Sequence, residues 1–347
     1  MTKHQKFYNE HLMNQEQSVN YHSSLEWLKF FAALMITNSH FGELYGKYSI
    51  FATGGAIGDA LFFFCSGIAL SLARFDRFDN WYKRRFFRVY PSVIATNLLA
   101  IIVGLVISYD SALRPFVGGW FFKAILLFYL IIYLLRTVLG SYLKYLLPAI
   151  LVSIFILSWF YVNHAEDVYS SGSYFAWYVY FSVFLFGFVF SHFNDVCSKH
   201  VNLSLAHYII GLLLSFILYY GFLAICNRFN GYEWIRVFSV FPLFSLLICF
   251  YKVCDSNFVL KLSQSKLYSP IQFVSSLCWE IYLAQLFIVL PYPGLFTKTF
   301  PLPFNLICTL LLIVITAYVI KVLSRFIIQL FSRDAFDWPY MLKTWVK

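Results

Sequence analysis

The sequence predicts an all-α protein, a polytopic transmembrane helical bundle of about ten spans with N- and C-termini cytoplasmic. Three observations carry this expectation. Of the 347 residues, 61% are hydrophobic and only 12% charged, more apolar surface than one water-soluble core can hide. Runs of about 20 apolar residues recur along the chain, each long enough to cross roughly 30 Å of hydrocarbon. Lys and Arg sort to alternate sides of those runs, as in membrane proteins whose cytoplasmic segments hold the excess.

Residues 1–24 are polar and lack the apolar core of a cleavable signal, so they are expected to form a cytosolic tail. Residues 25–331 form the transmembrane domain, and 332–347 a second cytosolic tail. The expected spans are 25–44, 57–73, 91–108, 119–136, 145–162, 174–191, 206–226, 236–251, 271–290 and 303–331. The last is long for one crossing, and its basic end, from Lys321 through Arg325, is expected to emerge at the interface. With these spans, nineteen of the 26 Lys and Arg residues fall on one side, five on the other and two, Lys29 and Lys123, within spans. An odd number of spans would strand the basic C-terminus outside. The net charge of +10 therefore reads as a topology signal, with membrane lipids as partners and no nucleic acid. The protein is expected in the cell membrane, inner or plasma, as a multi-pass chain. Seven cysteines without CxxC spacing imply neither a disulfide framework nor a zinc site. They read as small apolar packing residues.

The first span, LEWLKFFAALMITNSHF, holds the first chemistry. Lys29 and His40 are eleven residues apart, which at about 100° per residue brings them to nearly the same helix face, about 16 Å apart along the axis. Glu26 joins that stripe one turn below Lys29. Ionisable groups inside a span usually face the bundle interior or a wet cavity. Lys29 either does so or snorkels to the headgroups. His40 is either a general base, able to take a proton from a hydroxyl near neutral pH, or a satisfied histidine at the outer interface. No metal is expected, because no second histidine stands one turn away.

The second span, GDALFFFCSGIAL, places Asp59 near its outer start and Ser66-Gly67 in its middle. Gly67 permits close helix approach, and Ser66 is either a nucleophile or, more commonly for a serine in a span, a helix-packing hydroxyl. Six basic residues then crowd positions 74 to 88, ending in RRFFRVYP, with Pro91 expected to open the next span. Such a segment is either a topology determinant bound to anionic lipid or, through Arg85 and Arg88 on one face, a site for phosphates. The outer segment NRFNGYEWIR, 227–236, has side chains suited to a sugar and equally suited to an interfacial belt.

Taken in order, these motifs resemble the type-3 family of membrane acyltransferases. Its signature of a basic residue, ten positions and a histidine is met by Lys29 and His40. GDALFFFCSGIAL is similar to its paired phenylalanines before Ser-Gly, RRFFRVYP to its paired-arginine cytosolic motif, and YFSVFLFGFVF to a glycine-centred helix. CWEIYLAQ, 278–285, resembles its late Ser-Tyr-x-Ile-Tyr-Leu-x-His, bringing in Tyr282 and, in place of the histidine, Gln285. The family's acid before the phenylalanines aligns with Ala60, one position from Asp59. The resemblance implies O-acylation of a surface polysaccharide or lipid-linked glycan by an acyl group, commonly acetyl. It implies acetyl-CoA, or another acyl-CoA, as co-substrate and no tightly bound cofactor. His40 would be the base; Lys29, Arg85 and Arg88 would contact the donor, with Arg84 the alternate; Glu26, Asp59, Ser66, Tyr282 and Gln285 would support. The rival expectations are a glycan transporter or flippase, since ten helices and a polar stripe suit a translocation path, and a non-catalytic subunit of a polysaccharide assembly complex.

Overall fold

A computed structural model describes residues 22–107, 119–161, 168–200, 203–229, 233–290, 300–332 and 336–339. Most of the two tails expected at 1–24 and 332–347 lies outside the described residues, as does the middle of the outer segment 227–236. Among the described residues the secondary structure is helical, with no strand. A continuously apolar chain in lipid must satisfy its backbone within itself, and helices do so.

Helix α1 covers 22–39. A turn at Gly42–Tyr45 and a 3-10 segment at Gly46–Phe51 lead back into α2, Gly55–Ser71, with a 99° bend between them. Then follow α3 (Phe78–Ile107), α4 (Gly119–Leu139), α5 (Leu146–Tyr161), α6 (Tyr174–His200), α7 (Leu205–Arg228) and α8 (Val240–Cys254). After a short helix α9, Asn257–Leu262, the chain forms α10 (Ser269–Ser276), α11 (Cys278–Ala284) and α12 (Phe304–Leu330). Among the described residues, six helical stretches are long and apolar enough to cross a membrane, and the bent pair ending in α2, counted as one span, makes seven. α7 leaves Ile210, Leu213 and Ile217 exposed, and α5 leaves Val152, Ile156 and Trp159 exposed, as helix faces turned to lipid do.

Three elements differ from the expectation. Pro91 lies inside α3, so the basic run from Lys83 to Arg88 is helical and continuous with the span that follows. Its missing N–H leaves one backbone carbonyl without its intrahelical donor, a defect membrane helices tolerate because neighbours supply partners. The expected single span 271–290 is broken at Leu277 (φ −98°, ψ 4°) between α10 and α11, and α11 runs into a π-helical turn, Gln285–Val289. There the Leu290 N–H reaches the Gln285 carbonyl at 2.9 Å, five residues back. Finally, α1 stops at residue 39, and His40 stands in the turn beyond it.

Aromatic side chains, 22% of the sequence, fill the interior. Phe63, Phe64, Phe121, Phe128, Tyr180 and Phe184 are fully buried, with the Phe63 and Phe121 rings 4.3 Å apart. The backbones of α2 and α6 meet at two glycines. A Cβ on Gly67 would fall 2.1 Å from the Phe184 carbonyl oxygen, and one on Gly187 would fall 2.2 Å from that of Phe64. Neither oxygen can rotate away, so any side chain at these positions must push the helices apart. Gly187→Ala is therefore expected to cost about 1–3 kcal/mol of stability, the range for overpacking a tight contact. A thermal unfolding midpoint in detergent equal to wild type would refute this crossing.

Candidate functional site

α1, α2, α3, α4, α10, α11 and α12 line a cavity of about 220 Å³. Its polar lining includes Lys29, Ser66, Arg85, Arg88, Glu280 and Lys321, and Phe62, Ile125 and Trp279 are among its apolar walls. Four cations against one carboxylate give it a positive electrostatic character. Arg85 is buried, its guanidinium 5.8 Å from the Trp81 ring centre and its Nε without a hydrogen-bond acceptor. Arg88 is exposed at the rim.

The arginines of the basic run thus divide. Arg84 turns away from the cavity and grips Asp76 through two bonds, Nη1 to Oδ2 at 2.9 Å and Nη2 to Oδ1 at 2.5 Å. That contact holds the Asp76 carboxyl below the usual carboxylate range. Tyr133 donates to the Asp76 carbonyl at 3.0 Å, and Arg136 sits 3.7 Å above the Phe75 ring centre, so the loop entering α3 is fastened to α4. Arg77 pairs with Asp79 in the same exposed loop.

Lys29 reaches the cavity because the N-terminal end of α1 is held in place around it. The Glu26 carboxylate accepts from the Tyr268 hydroxyl, Ser24 donates to Asp255 at 3.1 Å, and the Trp27 indole donates to Ser263 at 2.9 Å. Burial raises the Asp255 carboxyl, against the opposing pull of Ser24 and Lys252. The Cys278 thiol lies 3.4 Å from the Lys29 carbonyl and joins α11 to α1 at the same depth. Glu26 thus occupies an anchoring contact outside the cavity lining.

The remaining predicted residues stand farther along. Gln285 is wholly buried, and neither atom of its amide has a partner; the Thr37 hydroxyl is likewise buried and unpartnered, and the Tyr282 hydroxyl is buried against the Phe121 backbone. Tyr282 stacks on Trp279 with ring centres 5.4 Å apart. Asp59 is half-buried, within electrostatic reach of Tyr180, Tyr219 and Tyr282. His40 does not line the cavity. It is exposed at the far end of α1, where the neighbouring Thr37, Asn38 and Phe41 line a second cavity of about 280 Å³ with Leu306, Ile307 and Leu310. The structure therefore brings Lys29, Ser66, Arg85 and Arg88 together, and keeps His40 apart from them.

The family comparison decides the class of protein, because the Acyltransferase domain family matches residues 22–322, nearly the whole chain. The chain belongs to the acyltransferase 3 family. Comparison with curated proteins and with solved structures gave no match. A membrane acyltransferase with several apolar helices thus carries four cations, Lys29, Arg85, Arg88 and Lys321, on three separate helices around one cavity.

Two residues of this acyltransferase escaped the sequence reading. Glu43, three residues past His40, is exposed in the turn after α1. Asn38 closes that turn: its amide donates to the Phe51 and Thr53 carbonyls at 2.8 and 3.0 Å and accepts from the Tyr45 hydroxyl at 2.8 Å. An asparagine before a histidine and a glycine is the available signal. Among the described residues, no cluster of His, Cys, Asp and Glu has metal-binding spacing. Asn38→Ala is expected to raise amide hydrogen exchange across 41–53 by about tenfold, the loss of one or two net hydrogen bonds. Exchange in α4 should not change, and an unaltered 41–53 segment would show that Asn38 does not hold the turn.

Proposed function

We propose that this acyltransferase moves an acetyl group from cytosolic acetyl-CoA to a hydroxyl of a surface polysaccharide or lipid-linked glycan in the cell membrane. The observation that carries the reading is the convergence of Lys29, Arg85 and Arg88 on one cavity. Guanidinium and ammonium groups match the phosphates of CoA, and Arg84, committed to Asp76, is not needed for them. Ten spans with both termini cytosolic agree with the charge distribution and would put Arg85 and Arg88 on the side where CoA is found.

The thin pantetheine arm would extend inward past Tyr282 to Gln285, whose unpartnered amide suits a ligand that itself carries polar groups. His40 lies about 16 Å from Lys29 along α1, at the outer end, where an acceptor would arrive. As general base it would take the acceptor hydroxyl proton while the oxygen attacks the thioester carbonyl. The new C–O bond forms, the C–S bond breaks, and the proton passes to the departing CoA thiolate. The largely apolar second cavity beside His40 suits the lipid portion of a lipid-linked acceptor.

Transfer of labelled acetyl from acetyl-CoA by the purified chain tests the activity. His40→Ala should lower kcat by about 100-fold or more, the usual contribution of a general base, with little change in donor KM. Arg85→Ala should raise donor KM about tenfold or more, whereas Arg84→Ala should leave it within about twofold. Normal turnover by the His40 variant, or equal effects at Arg84 and Arg85, would contradict the assignment. Donor binding without any turnover would favour a transporter or non-catalytic subunit.

A further inference from the structure

Glu280 is the buried acid that the reaction scheme leaves unused. It sits on α11 at a position where the family motif has no fixed residue, and it is 1% exposed. Its Oε1 accepts two bonds, from the Ser92 hydroxyl at 2.8 Å and from the Lys321 ammonium at 2.9 Å. Its Oε2 is buried and accepts none, and the residue lines the cavity. An ionised carboxylate offers about four acceptor positions, and leaving one oxygen bare in a protein interior is costly. Lys321 keeps the charge in place and does nothing for that second oxygen.

Depth identifies what would meet it. Ser92 lies four residues beyond Arg88 and seven beyond Arg85 on α3, about 6 and 10 Å farther from the cytosolic mouth. A ligand with its phosphates on the two arginines therefore presents to Glu280 a segment about that far from the phosphates. A second anion would be repelled there. A neutral N–H donor would complete the carboxylate.

We infer that Glu280, held by Ser92 and Lys321, accepts a hydrogen bond from an amide N–H of the donor's pantetheine arm. This rests on the acyl-CoA reading above and assigns a contact that reading does not contain.

The test compares two probes on the full chain in detergent: CoA, which has the arm, and adenosine 3′,5′-bisphosphate, which has phosphates without it. The double variant Glu280→Leu/Lys321→Met removes one negative and one positive charge, leaving the cavity's net charge unchanged. It should bind CoA about tenfold more weakly, with bisphosphate binding within about twofold of wild type. Glu280→Gln, which keeps shape and size, serves if the double variant does not fold; it should weaken CoA binding at least threefold relative to bisphosphate. An unchanged ratio between the probes, whether both weaken or neither does, overturns the assignment of Glu280. Wild-type protein that binds neither probe overturns the donor reading itself, and with it this contact.

Discussion

The backbone contact between α2 and α6 sets the position of everything around the cavity. In lipid there is little hydrophobic gain from helix association, so close packing of small residues must supply it. Gly67 and Gly187 let each helix lie against a carbonyl of the other, at separations no Cβ would allow. α2 contributes Phe62, Cys65, Ser66 and Ala69 to the cavity wall, and Asp59 lies two turns farther out on the same helix. Because these groups share one rigid helix, the glycine contact fixes their depth together. The buried rings of Phe63 and Phe64, on either side of the backbone contact, then prevent α2 from rotating.

A second constraint runs along α11. Its break at Leu277 and its π turn from Gln285 interrupt what would otherwise be a plain apolar crossing. On this stretch Glu280 buries one polar atom without a partner and Gln285, at the start of the π turn, buries two. An unmade buried hydrogen bond costs about 1–3 kcal/mol, so three on one short stretch cannot be explained as packing. Irregular backbone at membrane depth is tolerated where it lines a cavity, and π turns concentrate at functional positions. The local energy cost and the local irregularity thus point to the same stretch.

How much of this was legible in the sequence depended on which force dominated locally. The helices α4, α5, α7 and α12 were readable because uninterrupted apolar runs of sufficient length have one solution in lipid. Lys29, Ser66, Arg85 and Arg88 were grouped by motif order, and they meet. The break at Leu277 was hidden because SSLCWEIYLAQ contains neither Gly nor Pro to mark it. Pro91 misled in the opposite direction, suggesting a helix start where the helix continues. The end of α1 was missed because Asn38 diverts its side chain to the returning backbone, a tertiary contact invisible to periodicity. Glu280 was passed over inside a recognised motif, although an acid in an apolar run is a functional candidate on physical grounds alone.

The two readings of Lys29 are separated by what holds its helix. A lysine near the inner end of a span reaches the headgroups only if its helix can slide or turn toward them. Here Ser24, Glu26 and Trp27 bind the segment from Asp255 to Tyr268, and Cys278 meets the Lys29 carbonyl. Those contacts surround Lys29 in sequence and fix the rotation of α1. With the rotation fixed, the side chain is half-buried and lines the cavity beside Arg85 and Arg88. Glu26, spent on Tyr268, cannot neutralise it. The anchoring of α1 therefore turns the Lys29 ammonium into the cavity and adds one positive charge to those that Arg85, Arg88 and Lys321 bring on α3 and α12.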